Sequence, residues 1–272
     1  VSTILITGAA GSLGSILTQL YVERGDTVRA YDINEAGLAN LKEKHDSIRV
    51  IYGDITDRER LGFAMRGVDT VIHTAAMKNI SITEKNPEQT IKTNVQGTLN
   101  VAMAAIAQGV EKAIFISSDK AVDSVLIYGD SKSLGEKLWK WAHTIGGETI
   151  FSTIRSGNFW ESSGNVFETW ARQEARKENI TLTHADMQRY FIKTDKIAEF
   201  VLDVEQVMSG GEIFIPNMKL YHMYGLAKQY AERAGTEIEI TGIREGEKLK
   251  EELWTKRESH RSEYKEMYWV IR

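Results

Sequence analysis

Ser118, Asp119 and Lys120, followed by Tyr128 and Lys132, set a hydroxyl, an acid, an amine, a phenol and a second amine within fifteen residues of one another. Tyr128 and Lys132 are four apart, so on a helix they share one face, a turn from each other. A phenol with a neighbouring cation can take the proton of a hydroxyl while a hydride leaves the same carbon. The acid and amine at Asp119 and Lys120 exceed what hydride transfer alone needs, and together the set points to an enzyme that moves a hydride and also moves protons. Each feature singly is ordinary: an Asp-Lys pair after a strand is commonly a solvated loop, and a Tyr and Lys one turn apart commonly mean nothing. Their weight comes from their order and from what precedes them.

The elements that must position these residues are readable. Asp119 and Lys120 follow the apolar run Ala113–Ile116 and so leave the carboxyl end of a buried strand, where open α/β sheets place ligands. The chain opens with a β-rich run, Thr3–Thr7, then Gly8-Ala9-Ala10-Gly11-Ser12-Leu13-Gly14, then an amphipathic segment to Arg24. In this strand–turn–helix, Gly8 permits the tight turn, Gly11 lets backbone approach a pyrophosphate, and Gly14 lets helix and strand pack closely. Ser12 and Leu13 complete the turn, whose N–H groups would face the phosphates. A second strand, Thr27–Tyr31, ends in Asp32, placed for the adenosine ribose hydroxyls. A carboxylate there repels a 2′-phosphate, and no Arg stands at Ile33 or Asn34, so NAD is expected over NADP. The strand from Ile48 runs into Asp54 and Ile55, which could flank adenine. The strand Thr70–His73 runs into Thr74-Ala75-Ala76, small residues suited to backbone contact with a cofactor. His73 reads as a core histidine near a strand end rather than a ligand.

Strand and helix alternate through the first half. Helices are expected at Ser12–Arg24, Glu35–Lys44, Asp57–Met65, Pro87–Gln108 and Tyr128–Thr144, and strands near Thr3, Thr27, Ile48, Thr70, Lys112 and Glu148. Six strands with crossover helices make an α/β fold, a Rossmann-like doubly wound parallel sheet. After Arg155 the rhythm loosens. A strand is expected at Ile180–Thr183, a helix at Thr194–Met208 and a strand at Glu212–Ile215. A helix near Tyr221–Ala234, a strand near Glu237–Thr241 and a charged tail follow. The expected division is residues 1–155 and 194–215 for the dinucleotide-binding domain, with 156–193 and 216–272 as a smaller discontinuous lobe.

Composition narrows the field. The 272 residues carry 34 Lys and Arg against 38 Asp and Glu, a formal charge of −4, without the basic excess of a nucleic-acid surface. No apolar stretch approaches eighteen residues, so no membrane span is expected. The first strand begins too early for a signal peptide, and no cysteine is present, which fits a cytoplasmic protein. The six histidines show no metal-ligand spacing, so no metal is expected.

With these residues in view, the chain resembles the extended short-chain dehydrogenase/reductases, and within them the sugar-nucleotide branch that includes the UDP-N-acetylglucosamine 4,6-dehydratases. The blocks that carry the likeness are Thr7–Gly14, Gly53–Asp57, His73–Lys78, Asn94–Thr98, Ser117–Ala121, Tyr128–Lys132, Arg155–Asn158, Met187–Tyr190 and Gly242–Leu249. The resemblance implies that Lys132 binds the nicotinamide ribose, that Tyr128 is the base for a sugar 4-hydroxyl, and that Asp119 and Lys120, with Ser118 before them, act at sugar carbons 6 and 5. It also implies that Lys78 serves both cofactor and substrate, that Asn158, Arg189, Arg244 and Glu247 hold the UDP part, and that the protein is a homo-oligomer pairing through Pro87–Gln108 and Tyr128–Thr144. In the first of these helices Val95, Leu99, Ala102 and Ile106 form an apolar side. Relatives usually carry Pro and Asn near Ser124 and Leu126, Arg at Ser163 and Pro at Glu245. These departures bear on the identity of the sugar more than on the chemistry.

The implied reaction is oxidation at carbon 4, loss of water across carbons 5 and 6, and hydride return to carbon 6, with inversion at carbon 5. It makes demands on two pKa values. Tyr128 must reach its phenolate from an unperturbed value of about 10, helped by Lys132. Lys120 must be neutral to act as a base, which burial and a neighbouring cation would favour. Asp119 as an acid must be protonated, which a charged Lys120 would oppose. A UDP-sugar epimerase needs only Tyr128 and Lys132, and a non-catalytic dinucleotide-binding regulator needs none of the four.

Overall fold

The computed structural model describes residues 1–272. Its strands are β1 (Thr3–Thr7), β2 (Thr27–Asp32), β3 (Arg49–Tyr52), β4 (Thr70–His73), β5 (Lys112–Ser118), β6 (Ile150–Ser156), β7 (Asn158–Phe159), β8 (Ile180–Leu182), β9 (Gln188–Ile192), β10 (Ile213–Pro216), β11 (Lys219–His222), β12 (Ile238–Ile240), β13 (Ser262–Tyr264) and β14 (Tyr268–Ile271). Nine of them form one sheet, ordered β13-β14-β10-β6-β5-β4-β1-β2-β3. The seven from β10 to β3 are parallel. The chain runs outward from β1 in both directions, so the crevice beyond the carboxyl ends of β1 and β4 is the switch point where such sheets take ligands.

Alternation along the strands builds the two cores. Ile4 and Ile6 of β1 join the apolar cluster that also holds Leu13, Leu17, Ile197 and Val201, from helices Ser12–Glu23 and Thr194–Val207. Leu5, pointing the other way, joins Leu61, Met65, Val101, Ala105 and Trp139, from helices Arg58–Met65, Thr98–Gln108 and Ile127–Ile145. Helix starts follow side-chain caps: Asn34 accepts the Gly37 N–H at 3.0 Å, and Asp57, expected as a helical residue, is the cap that accepts the Arg60 N–H at 2.9 Å.

Three expectations are corrected. The helix over Pro87–Gln108 is three contiguous pieces, with a π-helical stretch at Ile91–Gly97 between α-helical Pro87–Thr90 and Thr98–Gln108. The segment from Pro216 is not all lobe: β14 pairs antiparallel with β10, and β13 with β14, so the charged tail closes the edge of the main sheet. The lobe itself holds the small sheet β11-β9-β7 and the parallel pair β12-β8. These pack with helices Val166–Arg176 and Met223–Ala234 around Trp170, Phe191 and Met223. The helix expected from Tyr221 begins at Met223, because Lys219–His222 pairs with β9.

Candidate active site

The glycine turn is shaped as its spacing predicts. Gly8 has φ +73°, and a Cβ there would sit 2.7 Å from the Ala75 nitrogen; one on Gly14 would sit 2.2 Å from the Gly8 carbonyl oxygen. Gly11 caps helix Ser12–Glu23 with no side chain, which leaves the first-turn N–H groups without a side-chain acceptor. Asp32 holds the turn: its carboxylate accepts the N–H of Ala10 and of Asn34, each at 2.9 Å. Asp54 accepts the Thr56 N–H at 2.8 Å, while buried Ile55 packs against Gly97. Ala75 and Ala76 lie half-buried behind the turn. Lys78 is exposed and donates to the Ser163 carbonyl at 3.1 Å, and the Ser163 N–H donates to Ser12 Oγ at 3.2 Å. Ser163 thereby lies across the turn.

The proton-moving residues meet at the carboxyl end of β5. Ser118 caps the single turn Asp119–Ala121, accepting the Lys120 N–H at 3.3 Å and donating to Asp119 Oδ1 at 3.0 Å. Asp119 is fully buried (0% exposed), and its Oδ2 has no hydrogen-bond partner. Lys120 Nζ donates to Asp119 Oδ1 at 3.0 Å and to Asn158 Oδ1 at 3.4 Å. Lys120 thus sits in an ion pair with Asp119, which favours its ammonium, where burial and a neighbouring cation were expected to favour the neutral amine. Burial opposes its charge, but Asp119, Glu251 and Tyr128 outweigh burial and raise its pKa.

Tyr128 is buried, and burial raises its pKa; the cation that opposes this is Lys120, aided by the Ser118 hydroxyl, rather than Lys132 as expected. Lys132 instead donates to the Ile116 carbonyl at 2.8 Å and lies 4.7 Å from the centre of the Phe115 ring. Burial lowers its pKa to about 8, against the pull of Glu136. His73 is the core histidine expected: Thr7 and Thr98 hydroxyls contact its two ring nitrogens at 2.7 and 3.0 Å, and burial, then Lys132, lowers its pKa to about 3.

The lobe residues fall into two groups. Asn158 faces the Lys120 amine through Oδ1 and donates from Nδ2 to the Tyr190 carbonyl at 3.1 Å. Arg189 and Glu247 lie 3.7 Å apart, and the N–H of exposed Arg244 donates to Glu247 at 3.3 Å, so these three form a separate polar cluster at the lobe's end.

Several supporting residues were missed in the sequence. Glu84 accepts the N–H groups of Ile127 and Tyr128 at 3.2 and 3.3 Å and so caps the helix that carries Tyr128. Asn94, in the π stretch, ties the Met77 backbone to Ser131: its Oδ1 accepts the Met77 N–H at 2.8 Å, and its Nδ2 donates to the Met77 carbonyl at 2.9 Å and to Ser131 Oγ at 3.0 Å. Arg155 is sandwiched by buried Glu136 and by Glu258 of the tail, with a shortest contact of 2.6 Å to Glu136. Asn94 and Arg155 stood in recognisable blocks and Glu84 did not; the partners of all three are too distant in the chain for local spacing to reveal their roles.

Comparison with known proteins identifies the family and the fold. Residues 4–272 match the family described as polysaccharide biosynthesis protein. An inverting UDP-N-acetylglucosamine 4,6-dehydratase of Campylobacter jejuni is 37% identical over 275 residues, 98% of this chain and 82% of that protein. A UDP-glucose 4-epimerase of Rickettsia typhi is 32% identical over 92% of this chain and 77% of its own. The X-ray structure of Pen from Bacillus thuringiensis superposes with a TM-score of 0.95 at 32% identity, covering 99% of this chain and 89% of that one. With its Rossmann-like sheet and a match over nearly its whole length, the chain belongs to the family of polysaccharide biosynthesis proteins.

Proposed function

We propose that the protein is an enzyme acting on a UDP-sugar, and specifically a 4,6-dehydratase of UDP-N-acetylglucosamine or a close relative of that sugar. The single observation that carries this reading is the ion pair of buried Asp119 with half-buried Lys120 beside Tyr128, since hydride transfer or epimerisation at carbon 4 requires no such pair. The name of the 37%-identical relative from Campylobacter jejuni supports it.

The glycine turn fits a dinucleotide: there is no room for side chains at Gly8 and Gly14, and the first-turn N–H groups lack side-chain acceptors. Gly8, Gly11, Ser12, Leu13, Gly14, Asp32, Asp54, Ile55, Ala75 and Ala76 would hold it, with Lys78, Tyr128 and Lys132 toward the nicotinamide end. Asp32, with no cation at Ile33 or Asn34, favours NAD over NADP. When bound, the nicotinamide supplies the hydride acceptor for oxidation at carbon 4 and the donor for reduction at carbon 6.

The chain's own residues move the protons. Tyr128 takes the proton of the 4-hydroxyl, its phenolate favoured by Lys120 and Ser118. One proton crossing the 3.0 Å bond from Lys120 Nζ to Asp119 Oδ1 converts the ion pair into an amine and a carboxylic acid. The amine then takes the carbon 5 proton, acidified by the ketone, while Asp119 protonates the departing 6-hydroxyl. The pair ends as it began, ammonium and carboxylate, with one water lost. The proton delivered to carbon 5 balances the one Tyr128 took, and delivery to the face opposite Lys120 inverts that centre. Asn158, Lys78, Arg189, Arg244 and Glu247 are proposed to hold the substrate.

The second reading, a UDP-sugar epimerase, is favoured by the 32%-identical relative from Rickettsia typhi. Incubation with UDP-N-acetylglucosamine, followed by mass and NMR analysis, separates the two. A dehydratase yields a 4-keto-6-deoxy product lighter by one water; a product of unchanged mass with an altered carbon 4 rejects dehydration. The nucleotide released on denaturing the purified protein is expected to be NAD, and finding NADP would overturn the assignment to Asp32.

A further inference from the structure

We propose that Ser163 belongs to the cofactor site: it is the tip of a strap, Trp160–Asn165, that closes over the dinucleotide's pyrophosphate and retains the cofactor between turnovers. Both contacts that carry this are made by the backbone of Ser163. Its N–H donates to Ser12 Oγ at 3.2 Å, and its carbonyl accepts Lys78 Nζ at 3.1 Å. Ser12 opens the helix that follows β1, and Lys78 comes after β4. One residue from the lobe thus bridges the two walls of the crevice between those strand ends, where such sheets take ligands. Ser12 is also the first residue of the helix whose first-turn N–H groups lack a side-chain acceptor and would face the phosphates. Ser163 and Gly164 are exposed, so these polar bridges place the tip, rather than burial.

The base of the strap is fixed where the tip is not. Asn165 Nδ2 donates to the Trp160 carbonyl at 2.6 Å, which closes the loop on itself. The Trp160 ring packs 4.7 Å from that of Phe191, and the Trp160 backbone N–H donates to the Ile192 carbonyl at 3.1 Å, which ties the base to β9. Glu161 accepts both the N–H and the hydroxyl of Thr194, at 3.0 and 2.9 Å. An element anchored at its base and held at its tip by two side chains can lift at one end, as covers over bound ligands do. Its use follows from the proposed chemistry, on which this inference rests. The hydride removed at carbon 4 returns at carbon 6, so each turnover leaves the cofactor as it began. Cofactor release is then no part of the cycle, and a cover that seldom opens does not slow the reaction.

The test locks the tip and reads exchange of the cofactor rather than activity. The chain has no cysteine, so Ser12→Cys/Ser163→Cys carries the only two thiols. The two hydroxyl oxygens they replace stand 3.5 Å apart. Disulfide sulfurs stand about 2 Å apart, so a small closing movement lets the bridge form. The variant is loaded with isotope-labelled NAD, oxidised with diamide, and chased with excess unlabelled NAD. Label retained is then measured by mass spectrometry after denaturation. Exchange is expected to be at least about tenfold slower in the bridged than in the reduced form, and to recover on reduction. Equal exchange in the two forms overturns the strap. Expulsion of NAD on bridging also overturns it, since the tip would then fill the crevice instead of covering it. Should the bridge not form, deletion of Ser162 and Ser163 withdraws the tip and leaves Trp160, Glu161 and Asn165 at the base. Labelled NAD is then expected to leave roughly tenfold faster than from the parent, and an unchanged rate overturns the role. A parent that holds neither NAD nor NADP defeats the cofactor reading and the strap with it; a parent that holds NAD but exchanges it regardless of the tip defeats the strap alone.

Discussion

Under the proposed dehydration Lys120 exchanges a proton with Asp119 across 3.0 Å, and this sets what its removal is expected to do. Lys120→Met is expected to lower dehydration by about 10²–10⁴-fold, the usual contribution of a placed acid–base group. The fold is also affected. Asp119 is fully buried with Oδ2 already unpaired, so the variant strands a carboxylate at a cost on the order of 1–3 kcal/mol. Thermal melting should show a lower Tm for Lys120→Met and recovery in Asp119→Asn/Lys120→Met, while product analysis shows neither variant active. His73 gives a second prediction. Its pKa falls from about 6.5 unfolded to about 3 folded. Below the unfolded value the unfolded chain binds the extra proton, so this contribution is complete above pH 6.5 and is lost as pH falls toward 3. Between pH 7.5 and 4.5 the loss is roughly 2–3 kcal/mol. Urea titrations at the two pH values measure it, and His73→Gln should lose that part of the difference. Asp119, Lys120, Tyr128 and Lys132 were legible because their spacing is local. The balance around Lys120 was not, because burial opposes its charge while Asp119 beside it and Glu251, distant in the chain, both favour it.

At the scale of elements, the site is one strand end held against one helix start. Helix Ile127–Ile145 starts under the carboxylate of Glu84 and presses Gly129 onto the catalytic turn, so that a Cβ on Gly129 would lie 2.2 Å from the Lys120 carbonyl oxygen. Backbone cannot yield at that distance without moving the helix from the turn. Gly129→Ala is therefore expected to separate Tyr128 from Lys120, to cost about 1–3 kcal/mol through overpacking, and to lower kcat on the order of 10²-fold for a shift near 1 Å. Gly62→Ala is the control: it also lies in a helix, Arg58–Met65, but a Cβ there meets nothing within 4 Å, so helix propensity alone should stabilise it by up to about 1 kcal/mol. Denaturation and steady-state kinetics on the two variants separate close approach from propensity; an active, stable Gly129→Ala would show that the turn is free to shift. The strands and flanking helices of the first half were readable because apolar period and glycine position agree there. The π stretch at Ile91–Gly97 was not: no local propensity marks it, and Asn94 within it binds Met77 and Ser131, partners 17 and 37 residues away.

At the scale of the whole molecule, the main sheet is closed at one edge by its own tail and flanked by helices whose outer faces are unequally finished. The tail was read as lobe because its charges are what a solvated segment shows. In the structure Glu258 pairs with Arg155, and Trp254 and Trp269 pack at 5.1 Å beside the last strands. The apolar side read on the helix at Pro87–Gln108 also divides: Ala102 is buried and Ile106 packs against the core, leaving Val95 and Leu99 half-exposed. The outward apolar residues are instead Leu134, Trp141 and Ile145 of helix Ile127–Ile145, 45%, 44% and 46% exposed, with Ile91 at 48% across from them. Positions 134, 141 and 145 keep a helical period, so they form one stripe, and a stripe of large apolar side chains that no core covers is the mark of an association surface. Two copies related by a two-fold axis would bury this stripe against itself, since such an interface pairs the same patch on both subunits. The parent protein is expected to be at least a dimer by light scattering at micromolar concentration. Leu134→Glu/Trp141→Glu is expected to be monomeric, with parent-like circular dichroism and most of its turnover per subunit. A monomeric parent would overturn the assembly, and a double variant that stays dimeric would place the contact elsewhere.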